Sequence, residues 1–179
     1  MTALAAAGCG GGQRQDANDG GRGPYVIDLE RAQFPARQRL ARRCTFVITV
    51  RNAGEATIPN LAVTLRGFTR RTSSPRATTP SVSLWTIDRS PHGRNTAIED
   101  TWAAGALAPG KRASLRWQVT PIVAGTHVLS YSIASSLQGS GRMQRAGGGA
   151  PRGALTVRVD GKPPSTRVDP QSGRVVRDE

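Results

Sequence analysis

Aromatic side chains are scarce: three Phe, three Trp and two Tyr make up 4% of the 179 residues. That leaves few rings for stacking bases once a core has been filled, and with 21 Gly and 12 Pro it argues against a large α/β enzyme and against a helical bundle. Only two cysteines and two histidines are present. Cys9 and Cys44 have no Cys-x-x-Cys spacing, and His92 and His127 lie far apart in the sequence, so a zinc site of the usual kind lacks ligands. No stretch approaches the roughly 20 apolar residues of a spanning helix. No repeat of solenoid or propeller length is present. The length suits one domain of ordinary size.

What is abundant is arginine. The chain carries 25 basic and 12 acidic residues for a formal charge of +13, and all but Lys111 and Lys162 of the basic set are arginines. Such a balance attracts polyanions, including phospholipid headgroups, wall polymers and nucleic acid, without choosing among them. Arg31, Arg37, Arg39, Arg42, Arg43, Arg66, Arg70, Arg71 and Arg76 are scattered without a single long run, as in a solvated surface biased toward Arg over Lys.

Near the beginning, Leu4-Ala5-Ala6-Ala7-Gly8 precede Cys9, followed by Gly10, Gly11, Gly12 and a polar stretch to Gly23. Small residues directly before a cysteine resemble the lipobox of bacterial lipoproteins. In that family a leader is cut before a cysteine already joined to diacylglycerol, and two acyl chains hold where one is marginal, at about 0.8 kcal/mol per buried CH₂. The resemblance implies lipid attachment at Cys9, a partial signal peptide over residues 1–8 and a flexible tether over 9–24. Met1 to Gly8 supplies neither the charged start nor the full apolar length of a leader, which places the expected start upstream of Met1.

From Tyr25 onward the pattern becomes short alternating segments punctuated by turns, the period-2 mark of half-buried strands. Cys44, Phe46, Ile48 and Val50 share one face, opposite Thr45, Thr49 and Arg51, and Asn52-Ala53-Gly54-Glu55 supplies a turn. Leu61 to Arg66 repeats the alternation. Ile58-Pro59-Asn60 is excluded from a central strand because proline lacks the ladder donor. Ile98 to Ala104 is expected to form a strand holding Trp102. Leu107-Ala108-Pro109-Gly110-Lys111 reads as the turn of a hairpin into a strand whose inner face is Ala113, Leu115, Trp117 and Val119. His127, Leu129, Tyr131 and Ile133 line another, and Leu155, Val157 and Val159 the last. About seven strands without an amphipathic helix predict an all-β, antiparallel sandwich over residues 25–160, followed by a disordered tail over 161–179 marked by Lys162-Pro163-Pro164-Ser165.

Between Gly67 and Arg94 lies a long segment rich in Arg, Thr, Ser and Pro. It is expected to fold back on the sandwich by docking Trp85. Long loops in compact domains are functional or disordered, so Arg70, Arg71, Arg76, Trp85, His92 and Arg94 form the candidate recognition loop. The plain alternative is an insertion pinned by one aromatic.

Three motifs carry a second resemblance: Phe46 to Gly54, the turn Leu107 to Lys111 leading to Leu115-Arg116-Trp117-Gln118-Val119, and Ala124-Gly125-Thr126-His127-Val128. Together they resemble bacterial immunoglobulin-like domains of the CARDB-like and DUF11-like kind, over about Tyr25 to Val159. The resemblance implies an immunoglobulin-like fold and a non-enzymatic, extracytoplasmic module of surface adhesion, assembly or spacing. Its motifs encode turns and core alternation and contain no site chemistry.

Catalytic chemistry is poorly represented. Asp88, Ser90 and His92 are close in sequence but lack a nucleophile-elbow motif, and Asp28, Glu99 and Asp100 lack calcium-loop spacing. Cys44 falls on a core face, where a small buried thiol is ordinary, and a Cys9–Cys44 disulfide would compete with lipidation. The sequence therefore predicts a lipid-anchored module on the outer face of the bacterial cytoplasmic membrane or at the cell surface. It is expected to be without catalysis, cofactor or metal, to hold membrane lipid through Cys9, and to meet an envelope protein or glycan. The alternative is an unanchored basic module binding nucleic acid or another polyanion, with no recognised reading motif.

Overall fold

The computed structural model describes residues 24–71, 81–91, 98, 100–137, 142–162 and 165–177. Two five-stranded sheets face each other. The first contains β1 (Tyr25–Gln33), β3 (Cys44–Asn52), β7 (Trp85–Arg89), β9 (Arg112–Pro121) and β11 (Met143–Arg145), in the order β11-β1-β3-β9-β7. The second contains β2 (Arg37–Arg39), β4 (Ile58–Arg66), β8 (Thr101–Leu107), β10 (Gly125–Ala134) and β12 (Arg152–Asp160), in the order β2-β12-β10-β4-β8. Seven of these strands are seven to ten residues long, and they correspond to the alternating segments of the sequence. The chain is an immunoglobulin-like β-sandwich.

Alternation builds the core. Phe46, Ile48 and Val50 of β3 and Leu115, Trp117 and Val119 of β9 are fully buried, facing Leu61, Val63 and Leu65 of β4, Leu129 of β10 and Val157 of β12. Every Phe and Trp joins one chain of ring contacts, from Trp102 to Trp117 (5.4 Å), to Phe46 (5.1 Å), to Phe34 (5.3 Å), to Trp85 (5.7 Å), and from Trp85 to Phe68 (5.9 Å) and His127 (5.2 Å). Tilted and edge-on pairs at these separations add to area burial. Both tyrosines are buried as well, so the core uses all the aromatics the sequence has.

The structure departs from the sequence expectations at six places. Each sheet carries a three-residue parallel edge, β11 on β1 and β2 on β12, where purely antiparallel sheets were expected. Ile58-Pro59-Asn60 lies inside β4, which is a central strand. The exclusion of Pro59 failed because β10 reaches β4 only from Ala62 onward, and the β4–β8 register is irregular between Ile58 and Ala62, so no ladder donor is missed there. Residues 107–111 form no hairpin: β8 pairs with β4 and β9 with β3, so the turn crosses from one sheet to the other. Asn52 explains the crossing, since its side-chain amide donates to the carbonyls of Ala56 (2.9 Å) and Leu107 (2.8 Å) while its backbone bonds Gly110 and Lys111.

The fourth departure is that β8 begins at Thr101, after Asp100 in the left-handed region (φ 57°), and not at Ile98. Trp85 opens an edge strand on β9, where a loop docked by one ring was expected, and Phe68 packs beside it. The sixth concerns the tail, expected to be disordered, where β13 (Thr166–Val168) and β14 (Val175–Arg177) pair as a hairpin separate from both sheets. Asp169 closes that hairpin by accepting hydrogen bonds from Gln171 N–H (3.0 Å) and the Ser172 hydroxyl (2.6 Å), which hold its carboxyl below the usual range.

Candidate functional site

The segment 35–44 makes one end of the sandwich. Gln38 points inward from β2 and is buried. Its side-chain oxygen accepts the Trp85 indole N–H (2.8 Å) and its amide donates to the Pro35 carbonyl (3.0 Å). A strand's alternation then turns the residues on either side, Arg37 and Arg39, outward. The parallel register with β12 sets Arg37 beside Arg158 and Arg39 beside Asp160. After Leu40, Ala41 adopts φ 58°, a left-handed conformation unusual for a residue with a Cβ, fixed by its N–H bond to the Pro121 carbonyl (2.9 Å). That bend brings Arg42 and Arg43 back toward the strand ends.

The result is an open cleft of about 690 Å³ lined by Arg37, Gln38, Arg39, Arg42, Arg43, Cys44, Arg158 and Asp160. Five guanidinium groups meet one carboxylate, and that carboxylate accepts the backbone N–H of Lys162 (3.1 Å). Arg43 is paired with Asp88 (3.1 Å), which also accepts the Thr120 hydroxyl (2.7 Å). Among the described residues, Arg37, Arg39, Arg42 and Arg158 make no ion pair or side-chain hydrogen bond. The outer face of the first sheet is different. There Arg51 pairs with Asp28 and Glu30, and Arg112 with Glu30 (2.8 Å). Like charges directly opposite across a ladder are destabilising, and the Arg37–Arg158 pair is one.

Cys44, at the cleft wall, donates its thiol to the Val119 carbonyl (3.5 Å). Burial, and secondarily the charge of Asp88, push its pKa up to about 11. A thiol so held is protonated at neutral pH and unsuited to nucleophilic work. Its alkylation by iodoacetamide is expected to stay slow through pH 9 and to rise toward pH 11. A rate that plateaus below pH 9 would contradict the burial.

The sequence-predicted site residues are not brought together. Arg70 and Arg71 lie exposed on β5 (Thr69–Arg71), which pairs antiparallel with β6 (Ser81–Ser83) in a two-stranded sheet separate from the two main ones. Arg76, His92, Arg94 and Cys9 lie outside the described residues. Trp85 docks as expected, but at 2% exposure it belongs to the core and cannot form part of a recognition surface. Asp88, considered with Ser90 and His92 as a hydrolytic trio, is committed to Arg43 and Thr120. Among the described residues no group of His, Cys, Asp and Glu is placed to hold a metal ion, and no helix is long and apolar enough to cross a membrane. The arginine cleft was missed by the sequence reading. Its only local signal is the Arg37-x-Arg39 spacing beside Arg42-Arg43, since Arg158 arrives by a long-range parallel pairing.

No family model matches the chain, and no curated protein does. Similar solved structures include the CARDB domain of a Pyrococcus furiosus protein, crystallised in complex with di-metal ions. It shares 12% identity at a TM-score of 0.45, over 76% of this chain and 86% of that one. Another is native alpha-2-macroglobulin from Escherichia coli, spanning domain MG7 to the C-terminus, with 16% identity and a TM-score of 0.48 over 84% of this chain and 21% of that one. This chain thus matches about a fifth of the macroglobulin chain. At such identities and scores neither likeness bears on function.

Proposed function

We propose that the chain is a non-catalytic binding or structural module, held at the outer face of the bacterial membrane by a diacylglyceryl group on Cys9. The observation that carries this reading is the order along the chain. Small residues 4–8 run into Cys9, a Gly-rich polar segment follows, and a β-sandwich opens at Tyr25. A tether that puts a closed sandwich at a distance from the bilayer serves contact with envelope proteins or glycans. The sandwich supports the absence of catalysis through the fate of its reactive groups: the Cys44 thiol is protonated, Asp88 is paired, and His127 bonds the Val123 carbonyl (3.0 Å) beneath Trp85.

The unanchored nucleic-acid module is disfavoured by a physical count. All eight Phe, Trp and Tyr side chains are buried, so none of these rings is available for a base to stack upon.

Detergent phase partitioning of source cells producing the protein from its own locus tests the anchor. The native protein is expected in the detergent phase and Cys9→Ala in the aqueous phase. Partitioning of both into the aqueous phase would contradict the proposal.

A further inference from the structure

We infer that the arginine cleft between β2 and β12 is a binding site for a phosphate-bearing anion. The inference is independent of lipid attachment at Cys9, because it rests on side chains within the sandwich.

Three separate features converge on it. The first is charge without compensation: Arg37, Arg39, Arg42 and Arg158 have no partner among the described residues, although the acidic residues of β1 neutralise Arg51 and Arg112 on the other sheet. The second is register. Parallel pairing sets Arg37 against Arg158, an arrangement that repels until an anion enters between the two forks. The third is support. Gln38, buried and bonded to both Trp85 and Pro35, fixes the pleat of β2, and the left-handed Ala41 folds Arg42 back over the cleft. Short charged edge strands also discourage sheet-to-sheet aggregation, but that role needs neither the buried clamp nor the backbone bend.

The ligand chemistry follows from the side chains. Guanidinium presents parallel N–H donors that match the oxygens of a phosphate, and it stays charged at all physiological pH. Four unpaired forks around an opening of about 690 Å³ suit a phosphate or a linked pair of phosphates more than a single carboxylate. Asp160 faces Arg39 and keeps its own backbone bond to Lys162, which leaves the Arg37, Arg42 and Arg158 side of the cleft as the more positive part.

Calorimetric titration of the full chain with inorganic pyrophosphate, at pH 7.5 and constant ionic strength, tests the inference. Saturable binding at one site is expected, weakened at least tenfold in Arg37→Gln/Arg158→Gln. The control is Arg66→Gln/Arg152→Gln, which removes the same charge from the outer face of the second sheet and is expected to change affinity less than twofold. Melting curves of each variant without ligand verify folding, and the first pair is expected to melt no lower than the native chain, because it removes a repulsion. Flotation of the Cys9→Ala chain, which carries no acyl anchor, with phosphatidylglycerol vesicles distinguishes the sources of phosphate. Binding that pyrophosphate displaces and that needs Arg37 and Arg158 assigns the site to a lipid headgroup, whereas pyrophosphate binding without flotation assigns it to a soluble phosphate. Equal losses in the two double variants, or association that follows ionic strength without saturating, would overturn the inference.

Discussion

Replacing Trp117 with alanine is expected to lower the unfolding free energy by about 3–5 kcal/mol. Trp117 lies mid-strand in β9, fully buried, between Phe46 of the neighbouring strand and Trp102 of the opposite sheet. Its ring therefore joins lateral packing to packing between the layers, and the cavity left by alanine opens at both. A domain of this size is stable by about 5–15 kcal/mol, so the loss is a large part of the total. Trp117→Phe separates packing from polarity. Among the described residues the Trp117 indole N–H has no hydrogen-bond partner, and a buried donor left unpaired costs about 1–3 kcal/mol. Phenylalanine removes that donor while keeping a ring, so its cost is expected to be well under half that of alanine. Chemical denaturation of the three proteins measures the difference, and an unchanged midpoint for Trp117→Ala would refute the placement of β9.

Gly67→Ala is expected to destabilise the sandwich by about 2–5 kcal/mol, combining left-handed strain with a backbone clash. Gly67 has φ 109°, and a Cβ there would run into the carbonyl oxygen of Val128 on β10. Neither side can yield easily. The residues before Gly67 are paired with β10, and Phe68 immediately after it is clasped by Leu84 and Trp85 through its carbonyl. The glycine thus lets the chain leave β4 and turn toward the β5–β6 pair while touching β10. Thermal melting is the check. A melting temperature within a degree or two of the native value would show that the exit from β4 is looser than described.

The inward faces were legible because alternation is a local property. Leu115, Trp117 and Val119, then Leu155, Val157 and Val159, alternate with polar or exposed neighbours, and Phe46, Ile48 and Val50 do so apart from Val47, which is buried on the other face of β3; one face of each set reaches the core. Connectivity was less legible. Pro109 and Gly110 encode a turn whether the next strand joins the same sheet or the other one, and the choice was made by the distant Asn52. Trp85 was recognised as an anchor, but Ser, Thr and Arg on both sides hid the strand pairing it begins.

The arginine cleft was the hardest part to see. Arg37-Gln38-Arg39 shows no apolar alternation, because its inward residue is an amide whose partners, Trp85 and Pro35, satisfy it only in the folded state. Arg158 reads in sequence as the exposed member of an alternating strand. Only the parallel register of β12 with β2 turns it from a solvated charge into one wall of a site.

The intact mass of the N-terminal peptide from natively produced protein tests the account most directly. The account predicts a chain beginning at Cys9 and carrying a diacylglyceryl thioether, whereas a peptide retaining Met1 with an unmodified Cys9 would contradict it.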